Sequence, residues 1–452
     1  MNRIEKYLKF DTILLIITVA FYMFFALFDG IVICADSPSY ITMDISREPL
    51  YPLFLACLRV IFGAEGQTYL YVAVVLQSLL AAWAAYCITA FIEREFSLGK
   101  VRSLLVLSMV LGTSFLCRFA AKRASMYSNS ILTEGIAISM YLLFIRYVLE
   151  YCFHQTKKSL LLATISSLLL VSVRKQMILA LVVLLVVILC QAFARRRVVQ
   201  GFLLAGLCSI VVLFGNYVVD GCFNYYLHGS FATHSSDNRF LSTVVMYVSE
   251  REDATCIPDE ETRDLFLQIY DVCDGQGYLQ HSAGKGWYQR VTHFGDSYDA
   301  IQIDTLWPMI EDYVREKCDG NRMVQEKTVD MYNRIMIKAL LPNLLPKLVR
   351  VFADNFVSGM VTTVAKRNKI LIIYSMLIWL SYGGLMIYHM VKKGMDKLTK
   401  MAGVVFMSCI FNVAIVSAVI FCQTRYTVYN MPLFYISLFL LFTETVSHKN
   451  RC

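Results

Sequence analysis

Charge is scarce in this chain. Of its 452 residues only 17% are Asp, Glu, Lys or Arg, against 57% that are hydrophobic. With a mean hydropathy of +0.56, that shortage excludes a soluble domain and calls for apolar spans of about 20 residues. An internal repeat, a low-complexity tract and the inverted symmetry that marks many transporters are also missing. There is no HxxxH or HExxH pattern and no cysteine spacing of the metal-binding kind, so no metal site is assigned. The net charge of +8 needs no nucleic acid, because the Lys and Arg residues fall mainly in short loops beside apolar segments. Most of the 14 cysteines lie in apolar runs, where Cys acts as a small hydrophobe. Cys256, Cys273 and Cys318 lie in a polar stretch, an odd number for a disulfide framework.

What the chain has instead is a series of long apolar segments. MNRIEKYLK, with Arg3, Lys6 and Lys9, precedes the run from Phe10 to Cys34. Without a small-residue cleavage site, this reads as an uncleaved signal anchor with a cytoplasmic N-terminus. Further spans are predicted near 67–92, 103–117, 130–151, 160–173, 176–193, 201–226, 370–390, 401–422 and 431–442, about ten in all. Segment 50–63, which contains Arg59, is too short to cross and reads as a helix on the membrane surface. From 227 to 368 the chain turns polar, with a helix start at Pro258-Asp259-Glu260-Glu261 and an amphipathic DLFLQIYDVC pattern, as expected of a mostly helical extramembrane domain.

The expected fold class is therefore an all-α membrane protein, a polytopic helical bundle. It divides into a transmembrane module over 1–226, an extracytoplasmic domain over 227–368 and a second transmembrane module over 369–452. The basic loops holding Arg94 and Arg102, Lys157 and Lys158, Arg195 to Arg197, Lys392 to Lys400, and Lys449 fall on one side of this map. Positive charge favours the cytoplasmic side, so both termini are placed there in a multi-pass cell-membrane protein in contact with membrane lipids. Lys366, Arg367 and Lys369 break the pattern; long outer domains translocate largely regardless of charge.

The stretch ADSPSYITMDISREPLYP (35–52) follows the first span and forms the core of a first outer loop at 35–66. Asp36 stands where that span ends, held by a turn-prone Ser-Pro-Ser ahead of Tyr40. A carboxylate there suits the removal of a proton from a hydroxyl or amine; it reads also as a solvated helix-end acid. Asp44 and Glu48 are the next acids. Glu134 opens a span, where facing lipid would be costly, so it faces the bundle or water and is free to bind a hydroxyl; otherwise it only favours the positive end of its helix. Arg118, Lys122 and Arg123 occupy one outer loop, Arg174 and Lys175 a tight turn, and Arg425 another. Such residues suit a lipid-bound phosphate, or pair with lipid headgroups. In the polar domain Trp287 and Trp307 either stack on a sugar or fill a core.

Asp36, Ser37 and Tyr40, followed by Arg47-Glu48-Pro49-Leu50-Tyr51-Pro52-Leu53-Phe54 and Phe62-Gly63, resemble the first outer loop of the C-type membrane glycosyltransferases (GT-C fold). The likeness is greatest to the branch holding protein O-mannosyltransferases and the lipid A aminoarabinose transferase. Leu132-Thr133-Glu134, Val173-Arg174-Lys175-Gln176, and Thr424-Arg425-Tyr426 with Pro432 resemble later motifs of that family in order. Two features depart from it. Asp36 is followed by Ser37 rather than a second acid, and 227–368 matches no motif of the family.

The resemblance implies transfer of a sugar from a polyprenyl-phosphate donor to an extracytoplasmic acceptor. Asp36 would be the base, and Tyr40, Asp44 and Glu134 would bind acceptor or sugar. Arg118, Lys122, Arg123, Arg174, Lys175, Arg425 and Tyr426 would meet the donor phosphate. The lipid-linked sugar is a substrate; no cofactor is assigned, and a divalent cation is left open. Two other classes remain. An O-antigen-type polymerase or ligase would depend on residues such as Arg239 and His281. A flippase or transporter of lipid-linked glycans would place ionisable groups deep in its spans, and the middles of nearly all these spans lack them.

Overall fold

The computed structural model describes residues 3–120, 124–234, 237–318, 320 and 322–449. Among these the chain is helical almost throughout, with no strand and one isolated β-bridge, between Val32 and Ser130. Nine helical segments among the described residues are long and apolar enough to cross a membrane: Phe10–Asp29, Thr68–Phe96, Lys100–Phe119, Glu134–His154, Lys175–Ala194, Val198–His228, Lys369–Lys393, Lys397–Val419 and Thr424–Val446. The protein is a multi-pass, all-α membrane protein. Of the ten spans expected, the one near 160–173 forms a helix at Lys157–Val173 of only 17 residues, about 25 Å long at the helical rise. Segment 50–63 is a short apolar helix, Leu50–Phe62.

The chain divides into two compact units. The first comprises 1–223, 363–412 and 424–452. Its helices are α1 (Arg3–Asp29), α2 (Ser37–Ile41), α3 (Leu50–Phe62), α4 (Thr68–Phe96), α5 (Lys100–Leu116), α6 (Glu134–His154), α7 (Lys157–Val173), α8 (Ile178–Ala194) and most of α9 (Val198–His228). Helix α4 is its centre, packed on α1, α3, α5 and α6. The residues of α4 explain this: Ala73, Ala82, Ala84, Ala85 and Ala90 are all buried, and small side chains let neighbouring helix backbones approach closely where lipid supplies no hydrophobic drive. Helix α6 packs in turn on α7 and α8.

The second unit comprises 224–362 and 413–423, so the end of the span expected at 401–422 groups with it. It holds α10 (Asp237–Val248), α11 (Glu260–Gly275), α12 (Trp287–Asp299), α13 (Trp307–Lys317) and most of α14 (Arg322–Val364). Asp259 caps α11 by accepting the Thr262 N–H at 2.8 Å, the favoured use of Asp at that position. Trp287 donates to the Asp354 carbonyl and Trp307 lies under the Arg239 guanidinium, 4.8 Å from its ring centre. Cys256, Cys273 and Cys318 are all free thiols. The remaining helices are α15 (Lys369–Lys393), α16 (Lys397–Val419), α17 (Thr424–Thr427) and α18 (Met431–Lys449).

Candidate active site

The loop after α1 is built by side chains that satisfy helix ends. Helix α1 stops at Gly30, whose φ of +63° is left-handed and strained for any residue with a Cβ. Its last carbonyls would be orphaned there. Asn129 covers them, its Nδ2 donating to the Phe25 and Gly30 carbonyls at 3.0 and 2.9 Å. Ser37 Oγ donates to the Ile131 carbonyl at 2.8 Å and accepts the Cys34 N–H. Loop 31–37 is thereby tied to loop 128–133, and Asp36 is brought to the head of α6.

Asp36 precedes α2 in the helix-capping position but makes no capping hydrogen bond. Its carboxylate turns instead to two arginines: Oδ1 accepts from Arg47 Nη2 at 2.9 Å, and Oδ2 lies 3.7 Å from Arg425 Nη1. Arg47 is fixed on every side. Nε donates to Ser39 Oγ at 2.8 Å, Nη1 to the Tyr40 hydroxyl at 3.3 Å, and the guanidinium lies 4.7 Å from the Tyr40 ring centre. Burial alone would lower the pKa of Arg47, but Tyr40 and Asp36 outweigh it and raise it. Burial pushes the Tyr40 hydroxyl up to about 12, so it stays protonated.

A second ion pair lies beside the first. Arg174 Nη1 is 2.6 Å from Glu134 Oε1 and also donates to Thr133 Oγ1 at 3.2 Å. The Tyr426 ring stacks with both arginines, 5.1 Å from Arg174 and 4.7 Å from Arg425, and its hydroxyl accepts from Arg425. Gln176 Nε2 donates to the Tyr426 carbonyl at 2.8 Å and to Asn412 Oδ1 at 3.0 Å, which fixes the turn bearing Arg425. Lys175 is exposed; its backbone N–H donates to Glu48 Oε1 at 2.7 Å. Three guanidinium groups thus face the two carboxylates of Asp36 and Glu134, leaving one positive charge over, and the nearby Lys175 and Glu48 leave that balance unchanged. Among the described residues, Arg425 Nε and the fully buried Tyr429 hydroxyl have no hydrogen-bond partner.

The structure therefore brings Asp36, Tyr40, Glu134, Arg174, Arg425 and Tyr426 together. Asp44 is engaged in its own turn, with Oδ1 accepting the Ser46 N–H and hydroxyl at 2.9 and 2.6 Å. Arg118 is engaged with Asp29, at 2.8 Å, and lies over the Phe25 ring. Lys122 and Arg123 lie outside the described residues. In the second unit Arg239 is buried against Glu326 and Glu311, and His281 pairs with Asp274 on an exposed surface. Among the described residues no group of three or more His, Cys, Asp or Glu side chains could hold a metal ion.

Three residues were missed by the sequence reading as parts of this site. Arg47 was legible, since it is the lone cation of the stretch 35–52. Gln77 carried a fainter signal as an amide in the middle of an apolar run. It is fully buried, accepts the Tyr51 hydroxyl at 2.8 Å and donates to the Ser128 and Ser130 carbonyls at 2.9 and 3.2 Å. Tyr429 had no signal, because a Tyr beside a span is ordinarily an interface residue.

An apolar groove of about 520 Å³ runs between α3, α4 and α6, lined by Leu53, Phe54, Leu76, Gln77, Leu80 and Ile136 among others. Gln77 in its lining accepts from the Tyr51 hydroxyl, and the Tyr51 ring meets that of Tyr40 edge to face. Compared with protein-family models, curated proteins and solved structures, the chain matches none.

Proposed function

We propose that this chain is a membrane glycosyltransferase that takes a sugar from a polyprenyl-phosphate donor and passes it to an acceptor outside the cytoplasm. The observation that carries the proposal is the placement of the Asp36 carboxylate between Arg47 and Arg425, beside the Glu134–Arg174 pair. In such a reaction an acceptor hydroxyl or amine attacks the anomeric carbon, its proton passes to the base, and the bond to the phosphate oxygen breaks with the electron pair leaving on phosphate. The donor is already activated, so the protein supplies a base, cations for the departing phosphate, and positioning. Asp36 is the base in this reading. Arg425 and Arg174, with Arg47 added, answer the phosphate charge, and Glu134, shut in with Arg174 and accepting from Thr133 Oγ1 at its other oxygen, holds Arg174 beside the site. The apolar groove between α3, α4 and α6 favours a donor with a hydrocarbon chain. Residues 227–368 are the extracytoplasmic part in this reading, and the sequence motifs resemble those of the C-type family.

The test is to incubate purified protein with a panel of polyprenyl-phosphate sugars and envelope acceptor, and to follow released polyprenyl phosphate in wild type and Asp36→Asn. Release that vanishes in a folded variant supports the assignment. Release that persists at the wild-type rate removes Asp36 as the base, and no release from any donor overturns the transferase reading.

A further inference from the structure

Arg47 and Arg425 reach toward each other across a single carboxylate. Each has one guanidinium nitrogen near an Asp36 oxygen, at 2.9 and 3.7 Å, and each is flattened on a tyrosine ring, Tyr40 for Arg47 and Tyr426 for Arg425. The rings cover the guanidinium faces, Ser39 and Tyr40 take up Nε and Nη1 of Arg47 and Tyr426 takes up Nη2 of Arg425, which leaves Arg47 Nη2 and Arg425 Nη1 as the nitrogens turned to Asp36. Two guanidinium edges fixed about one anion are the arrangement that recognises a phosphate, whose oxygens accept from Arg in pairs. The side chains of Arg47, Arg425 and Asp36 are 24%, 35% and 37% exposed, so this edge is open to an entering ligand, whereas the Glu134–Arg174 pair behind it is shut in at 3% and 14%.

We infer that Arg47 and Arg425 form a phosphate site in which the Asp36 carboxylate sits as the resident anion, so that phosphate binding and release of Asp36 from its ion pairs are one event. An entering phosphate monoester or diester takes over the two guanidinium edges and the carboxylate turns free. The device couples arrival of the anionic end of a substrate to exposure of the group that must accept a proton, and no bond is made or broken in the exchange. It rests on the proposed function only for the carrier of the phosphate, since binding of the anion is measured without any transfer.

The experiment is equilibrium binding of farnesyl phosphate to the full-length protein in zwitterionic lipid nanodiscs, with inorganic phosphate and uncharged farnesol as parallel probes. Asp36→Asn and Asp36→Ser each remove the competing anion. Both are expected to bind farnesyl phosphate about two- to fivefold more tightly than wild type, the scale of a partly exposed ion pair. Farnesol affinity should stay the same, and Arg47→Gln should weaken phosphate binding in either background. A gain confined to farnesyl phosphate identifies a lipid-linked phosphate, and an equal gain for inorganic phosphate identifies a free one. Unchanged or weaker phosphate binding in both Asp36 variants, or an equal gain for farnesol, overturns the proposal. Two variants guard against one that fails to fold, and thermal melting of each preparation checks that it has not. Failure of the transferase reading would leave these affinities untouched and would show only as absent turnover.

Discussion

Glu134 Oε1 lies 2.6 Å from Arg174 Nη1, with the two side chains only 3% and 14% exposed, and this contact ties the head of α6 to the turn that follows α7. Two charges so placed are costly to desolvate and hold one another in place. Thr133 supplies one further hydrogen bond to Arg174, and the Tyr426 ring covers the guanidinium.

Breaking that pair from one side should be far worse than removing both partners. Glu134→Gln leaves a buried guanidinium without its counter-charge, at a cost of about 3–5 kcal/mol. The double variant Glu134→Gln with Arg174→Met should recover a good part of this, giving a coupling of about 0.5–3 kcal/mol. Thermal unfolding of the four proteins in one detergent measures it. Additive losses would mean that the two side chains do not act as a pair.

Tyr40 is expected to work through its ring more than through its hydroxyl. The ring lies under Arg47 and meets Tyr51 edge to face at 5.3 Å between centres, whereas the hydroxyl accepts only a long 3.3 Å contact from Arg47. Tyr40→Phe should therefore lower release of polyprenyl phosphate by no more than roughly threefold, while Tyr40→Ala, which frees Arg47 to swing, should lower it by about tenfold or more. Equal losses in the two variants would assign the role to the hydroxyl.

Gly135 is expected to tolerate no side chain. A Cβ there would lie 2.8 Å from Gln77 Cδ and Oε1, and Gln77 is a buried amide that accepts from Tyr51 and donates to the carbonyls of Ser128 and Ser130. Gly135→Ala pushes that amide out of register and leaves buried polar groups unpaired, at about 1–3 kcal/mol each. Gln77→Leu leaves the same groups unpaired directly and should lose stability to a similar extent. Both should also reduce turnover, because the same loop carries Thr133 and Glu134. Melting temperatures of both variants at or above wild type would show that the amide does not hold the loop.

The bundle was legible because its signal is collective. Each span is a run of apolar residues long enough to declare itself without knowing its neighbours, and a 17-residue helix is ambiguous for the same reason. The cluster was legible where function forces a residue against its local preference: a carboxylate opening a span at Glu134, a cation in a tight turn at Arg174 and Arg425. Pairing was not legible. Nothing in the sequence tells Arg118, which is taken up by Asp29, from Arg425, which faces Asp36, because both are basic residues in short loops. Asp44 beside Asp36 is a similar case, distinguished only once the Ser46 turn closes on it.

The same pairing bears on topology. Helix α6 has 21 residues, from Glu134 to His154, about 31 Å of helix, so its two ends face opposite sides of a membrane. Helix α7 starts at Lys157, beside the far end of α6, and must deliver Arg174 to Glu134 at the near end. It packs along α6 over that course, and its 17 residues cover most of the distance that α6 does. Helix α7 is therefore expected to cross as well, making ten crossings and putting both ends of the chain on one side. In a background with native cysteines replaced by serine, Lys158→Cys and Arg196→Cys should react with a membrane-impermeant maleimide only after the cells are opened, and His281→Cys should react in intact cells. If α7 lay on the surface, Lys158→Cys and Arg196→Cys would fall on opposite sides, since the Lys175–Ala194 span separates them. Labelling of one in intact cells and the other only after opening would return the count to nine and detach Arg174 from Glu134.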